Sequence, residues 1–210
     1  MTADPLIHIV DDDLSLRRVL DSLFRSVGLP CRAFANVQEF LDAHQPDQPG
    51  CLILDVRLPG VSGLDFQAQM ERHGVSLPVI MITGYGDIPI SVRAMKAGAV
   101  DFLAKPFRDQ DMLDAVAVAI ERDREARLAK GDHARVKALF ATLSPREQQV
   151  MAHVTAGRLN KQIAGDLGLS EITVKIHRGS MMRKMGVRTL PDLVRLAETL
   201  RALQLLAVTK

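Results

Sequence analysis

The sequence predicts two domains of different class: a doubly wound α/β domain on five parallel strands, then a small all-α domain of four helices. Three observations carry this. Up to about residue 122, short apolar runs alternate five times with segments of helical periodicity, the pattern of a parallel sheet covered on both faces. Beyond residue 142, four capped helical segments follow one another. Charge divides near the same place: residues 1–122 hold 11 Lys and Arg against 17 Asp and Glu, whereas residues 123–210 hold 16 against 8. An acidic half joined to a basic half suggests two tasks, the basic one a candidate for nucleic acid.

Each element has its own signal. Ile7-His8-Ile9-Val10 is an apolar run with β-branched residues, a first strand, and Asp11-Asp12-Asp13 follows at once. Leu16, Val19, Leu20 and Leu23 then recur at helical spacing, with Arg17 and Arg18 on the other side. Cys31-Arg32-Ala33-Phe34 is a weaker strand, and Val37, Phe40 and Leu41 mark a short helix opened by Asn36. Cys51-Leu52-Ile53-Leu54 lies between Pro49-Gly50 and Leu58-Pro59-Gly60, so Asp55 stands where a buried strand surfaces. Leu64, Phe66 and Met70 mark a helix after Gly63, and Val79-Ile80-Met81-Ile82-Thr83 is strand four, set off by Pro78 and Gly84. Asp87 can cap a helix over 88–97 that Gly98 closes. Residues 100–104 form strand five, ended by Lys105-Pro106, and a last helix begins near Asp109 with Met112, Leu113, Val116 and Ile120 inward.

Hydrophobic residues make up 47% of the chain, aromatics 4%, and Trp is absent, which suits aliphatic cores. The start, Met1-Thr2-Ala3-Asp4-Pro5, is polar and no apolar run approaches a membrane span, so a cytoplasmic protein without a membrane partner is expected. Cys31 and Cys51 sit in strand-like contexts and read as reduced core residues. From 121 to 141 the chain is charged and helix-forming, with Asp123 and Arg127 at i, i+4, but Gly131-Asp132 interrupts it. A helical extension and then a hinge are expected. The domain limits are 1–122, a helical linker 123–141, and 142–210.

In the second half Ser144 caps a helix, Pro145 takes its first turn and Glu147 completes a capping box. Val150, Met151 and Val154 face inward before Gly157. Asn160 starts a short helix with Ile163, Ala164 and Leu167, Ser170 caps a third that runs to Met185, and Thr189-Leu190-Pro191-Asp192 opens a fourth. The short Gly168-Leu169 turn makes the second and third a helix-turn-helix. Val174, Met181 and Met185 fall on one stripe as core, while Lys175, Ile176, Arg178 and Gly179 point away, with Arg183 and Lys184 beyond. Such a helix can enter a DNA major groove.

Four strands of the first half end in a polar group: Asp11 and Asp12, Asp55, Thr83 and Lys105. In parallel α/β sheets the carboxyl edge is where ligands bind. Three carboxylates brought together repel and want a cation, and oxygen-only donors favour Mg²⁺ with a phosphate. A carboxylate can accept phosphate as an acyl phosphate, and Asp55 lies centrally between strands one and four. A surface acidic cluster with a neutralising lysine is the bland alternative.

Val10-Asp11-Asp12, Leu54-Asp55-Val56-Arg57-Leu58-Pro59-Gly60, Ile82-Thr83-Gly84 and Lys105-Pro106-Phe107 resemble the flavodoxin-like receiver domain of two-component response regulators. The resemblance implies that Asp55 takes a phosphoryl group from a sensor histidine kinase. Asp12, Asp55 and the backbone carbonyl of Arg57 would hold Mg²⁺, with Asp11 acting through water. Lys105 would bind a phosphate oxygen before a cis peptide to Pro106. Thr83 would turn inward to the phosphate and Phe102 would follow. Tyr is commoner at the Phe102 position, so the switch here would be driven by packing. The surface it changes, residues 88–97 with strand five and the last helix, would be the face of a homodimer formed on phosphorylation, with Ala94, Met95, Lys96 and Asp101 contributing.

Leu143-Ser144-Pro145-Arg146-Glu147, Asn160-Lys161-Gln162-Ile163-Ala164 and Thr173-Val174-Lys175-Ile176-His177-Arg178 resemble the output domain of the LuxR/FixJ class. The resemblance implies that Lys175 and Ile176 approach base edges of promoter DNA, that Lys161, Thr173, Arg178 and Lys184 hold phosphates, and that RNA polymerase is a further partner. Glu147 and His177 would support the fold. Gly179 departs from the family, whose members often carry a larger residue there. A phosphohydrolase using Asp55 is the enzymatic alternative. Haloacid-dehalogenase phosphatases want a second aspartate where this chain has Arg57, and no substrate-cap insertion is present, so a regulator and not an enzyme is expected.

Overall fold

The computed structural model describes residues 4–84 and 88–206. The cap expected at Asp87 lies outside them. The chain forms two compact units, Met1–Arg127 and Leu128–Lys210.

The first unit is built on β1 (Leu6–Val10), β2 (Cys31–Phe34), β3 (Gly50–Asp55), β4 (Val79–Thr83) and β5 (Asp101–Ala104), all parallel, in the order β2-β1-β3-β4-β5. Side chains alternate between the two faces of a strand, and both faces are apolar. Ile7, Ile9, Cys51, Ile53, Ile80 and Ile82 pack with Leu20 and Phe24 of α1 (Leu14–Ser26) and with Met112 and Val116 of α5 (Asp109–Ala141). Val10, Leu52, Leu54, Val79 and Met81 pack on the other face with α2 (Val37–Ala43), α3 (Gly63–Gln67) and α4 (Ile88–Lys96). This is the two-sided covering that continuous apolar strands require. Asp13 caps α1 by accepting from the Ser15 and Leu16 amides, and Asn36 caps α2.

Two expectations on helix faces need correcting. Val19 is 56% exposed; Phe24, one turn beyond Leu20, fills the core position instead. Ala94 is fully buried between α4 and the sheet, so it belongs to the core and offers nothing to an outer face.

α5 is one helix of 33 residues and runs through Gly131-Asp132 without a break. The expected interruption is absent because glycine costs a helix only about 1 kcal/mol relative to alanine. Ala, Leu, Lys and Arg surround it, and Asp132 pairs with Arg135 within the helix. At its amino-terminal end α5 serves the sheet. Further along, Val136 and Phe140 join the core of the second unit, so this stretch is more than a solvated linker.

The second unit adds α6 (Pro145–Thr155), α7 (Asn160–Leu167), α8 (Glu171–Lys184) and α9 (Leu190–Ala202) around Val150, Met151, Ile163, Val174, Met181, Met185, Leu193, Ala197 and Leu200. The capping box of Ser144 and Glu147 is present, Ser170 and Thr189 cap α8 and α9, and Gln162 reaches back to the Leu159 amide to close the start of α7. Gly168, with φ of 65°, makes the turn between α7 and α8, where glycine is free of the Cβ penalty. Among the described residues no helix is long and apolar enough to cross a membrane.

Candidate functional site

In this strand order the chain reverses direction of winding between β1 and β3, and the crevice at such a reversal is where doubly wound sheets bind ligands. Val10 pairs with Leu54, Asp55 with Ile82 and Thr83 with Ala104. Asp11, Asp55, Thr83 and Lys105 therefore surface together at the carboxyl edge. Asp11 and Asp55 flank the reversal itself. Both are buried, as is Thr83, while Asp12 is exposed.

The geometry joins these groups into one cluster. Asp11, Asp12 and Asp55 each present a carboxylate oxygen, all within 4.8 Å of one another. The Lys105 ammonium donates to Asp11 Oδ2 at 2.6 Å and to Asp55 Oδ2 at 2.8 Å. Burial works against the Lys105 charge, but the two carboxylates outweigh it and hold the ammonium above its usual range. Burial pushes the Asp11 carboxyl up, and Lys105 offsets this only in part. A second cation therefore fits the site: the donors are all oxygens and the carboxylates outnumber the positive charge. The peptide bond from Lys105 to Pro106 is cis, as expected.

The loop after β3 closes tightly over Asp55. The Arg57 amide donates to Asp55 Oδ1 at 3.1 Å, and the Gly63 amide donates to the Val56 carbonyl. A Cβ on Gly63 would lie 2.0 Å from the Asp55 carbonyl oxygen. Glycine is required there because the start of α3 presses against the backbone of the candidate phosphoacceptor. Sequence reasoning missed this role, since nothing near Gly63 signals the contact. Phe102 is half-buried on β5, paired with Met81 of β4.

In the second unit Lys161, Lys175 and Ile176 are exposed, while Thr173 is half-buried with its hydroxyl 2.8 Å from that of Ser170. Arg178 does not point freely outward: it is half-buried and donates to Asn160 Oδ1 of α7 at 3.3 Å. Lys184 is engaged by the fold, its ammonium 2.7 Å from Oε2 of buried Glu147. Burial works against the Glu147 charge, yet bonds from Lys184, Ser180 and the Ser144 amide outweigh it and hold the carboxyl at about 2. Glu147 supports the fold as expected. Lys184, expected to hold a DNA phosphate, is its partner in that task.

A family model described as "Response regulator receiver domain" matches residues 7–117. One described as "Bacterial regulatory proteins, luxR family" matches residues 141–197. Nodulation protein W of Bradyrhizobium diazoefficiens is 58% identical over 195 residues, covering 93% of this chain and 86% of that protein. Response regulator protein TodT of Pseudomonas putida is 46% identical over 196 residues, with coverage of 93% and 86%. Among solved structures, the response regulator StyR superposes with a TM-score of 0.82 at 45% identity, covering 93% of this chain and 99% of that one. Full-length FixJ from B. japonicum gives a TM-score of 0.56 at 37% identity, with coverage of 96% and 99%.

Proposed function

Because the chain belongs to the two-component response regulators that join a receiver domain to a LuxR-family DNA-binding domain, we propose that its control of transcription is switched by a phosphoryl group on Asp55. Residues 1–122 receive the signal, residues 123–141 link, and residues 142–210 bind promoter DNA. The observation that carries this reading is the Lys105 ammonium seated between Asp11 and Asp55, at the edge where the sheet reverses.

The donor is a phosphohistidine of the partner kinase. A carboxylate oxygen of Asp55 attacks phosphorus, a new O–P bond forms, and the P–N bond breaks with its electron pair returning to the imidazole. Lys105 meets a phosphoryl oxygen with its charge. The Arg57 amide steadies the second oxygen of Asp55. Asp12, Asp55 and the Arg57 carbonyl, with Asp11 behind them, would hold Mg²⁺, which supplies further positive charge to the phosphoryl oxygens. Phosphorylation adds roughly −1.5 to −2 charge and new acceptors. Thr83 turns toward them and Phe102 follows into the space it leaves, changing the outer face of α4, β5 and α5. That face carries Val92 and Met95 exposed, and it forms a homodimer.

Lys175 and Ile176 of α8 reach base edges, and Lys161, Thr173 and Arg178 hold phosphates. Arg178 donates to Asn160 of α7, which keeps its guanidinium on the α7 side of α8. DNA and RNA polymerase as partners put the working protein in the cytoplasm. Acetyl phosphate with Mg²⁺ is expected to label the wild-type chain and to leave Asp55→Asn unlabelled in intact mass spectra. Equal labelling of the two would overturn the assignment.

A further inference from the structure

The row of α8 that faces outward is apolar at its leading end. At 3.6 residues per turn, positions 172, 176, 179 and 183 form one row, opposite the buried row of Val174, Met181 and Met185. Ile172 is 73% exposed and Ile176 64%. Large aliphatic side chains left this bare on a small domain mark a contact surface. Their neighbours decide what kind: Lys175 lies beside them, Arg183 ends the row and both are exposed. An apolar pair with Lys175 beside it and Arg183 further along the row fits a DNA groove, the exposed Glu171 at the start of the helix being the one acidic residue of α8.

The glycine in the row sharpens the point. At Gly179 a Cβ would meet nothing within 4 Å. Gly179 thus offers no side chain to a base and leaves room at that position of the row for the DNA to come close. Discrimination then falls to the amino-terminal turns, the part of a recognition helix that reaches base edges. Isoleucine has no hydrogen-bonding group. In the major groove the apolar feature is the thymine methyl group.

We infer that Ile172 and Ile176 together read two thymine methyl groups in each half-site, Ile172 being a specificity residue alongside Lys175. The inference rests on the reading of α8 as the recognition helix. The test uses the full chain, with and without acetyl phosphate, to select binding sites from random duplex DNA. Each thymine in the selected half-site is then replaced by uracil, which removes only the methyl group. Wild-type affinity is expected to fall about fourfold at each of two thymines, the transfer value of one buried methyl. Ile172→Ala is expected to lose that response at one thymine and Ile176→Ala at the other. Ile172 is too exposed for its loss to unfold the domain, and matching circular dichroism melts check this. A half-site without thymine, or uracil responses in Ile172→Ala identical to wild type, overturns the inference while leaving DNA binding intact. Failure to enrich any sequence overturns the recognition-helix reading as well.

Discussion

His8 lies on β1 with both ring nitrogens buried and without a hydrogen-bond partner, among Phe34, Phe40 and the His44 ring. Burial, then the neighbouring charges of His44 and Arg32, push it down from 6.5 to about 4. Below 6.5 the unfolded chain takes up a proton that the folded chain refuses, so stability falls as pH drops from about 6.5 toward 4. The loss reaches about 3 kcal/mol at the extreme. Urea midpoints at pH 7.5 and 5 are expected to fall further for wild type than for His8→Leu, and parallel loss in both would refute the role of His8. Gly63 stands at the start of α3, against the backbone of Asp55. Its Cβ would strike the Asp55 carbonyl, so Gly63→Ala is expected to cost about 1–3 kcal/mol and to slow labelling by acetyl phosphate. Unchanged melting and labelling would show that the loop has room. The site was legible where each polar residue directly follows an apolar β-run: Asp11, Asp55, Thr83 and Lys105. Gly63 was not, because only the folded backbone brings it against Asp55. The pairing of Asp123 with Arg127 was readable at i, i+4 and is present, whereas the bond that buried Asp123 accepts from the Gly50 amide, 73 residues away in sequence, was not.

At the scale of elements, the caps were readable because they are local: Asn36, Ser144, Ser170 and Thr189 all bond within three residues of themselves. The outward face of a helix was less readable, since periodicity fixes a stripe and not its centre; Val19 and Ala94 were misplaced for that reason. The ion pair that takes Lys184 joins α8 to α6 across 37 residues, and a basic residue near the end of α8 gave no hint of it. α5 makes the sharpest contrast, because the glycine expected to interrupt it lies inside it. Nothing lies within 4 Å of where a Gly131 Cβ would stand. Gly131→Ala is therefore expected to raise stability by about 0.5–1 kcal/mol, read as a higher melting temperature of the full chain. A hinge that needs glycine would show the reverse, an unchanged melt with altered phosphorylation-dependent DNA binding.

At the scale of the whole molecule, two domains in this order were legible because the period of the hydrophobic pattern changes from sheet-with-helix to helix alone, and the charge balance changes with it. How the first domain governs the second is not written in either pattern. Ile88, Val92 and Met95 of α4 and Val118 of α5 are among the exposed large apolar residues of the first unit, surface that a partner would cover. In a two-fold dimer the same patch meets itself, so any substitution there acts twice. Val92→Asp and Met95→Asp would set like charges across such an interface, while their exposure keeps them out of the core. Sedimentation of the wild-type chain is expected to show a larger dimer fraction after acetyl phosphate. In the Asp variants labelling of Asp55 should be unchanged and the dimer dissociation constant raised about tenfold or more. If phosphorylation leaves the wild-type dimer fraction unaltered yet strengthens DNA binding, the phosphate must act by releasing the DNA-binding domain within one chain, and the apolar face has another partner.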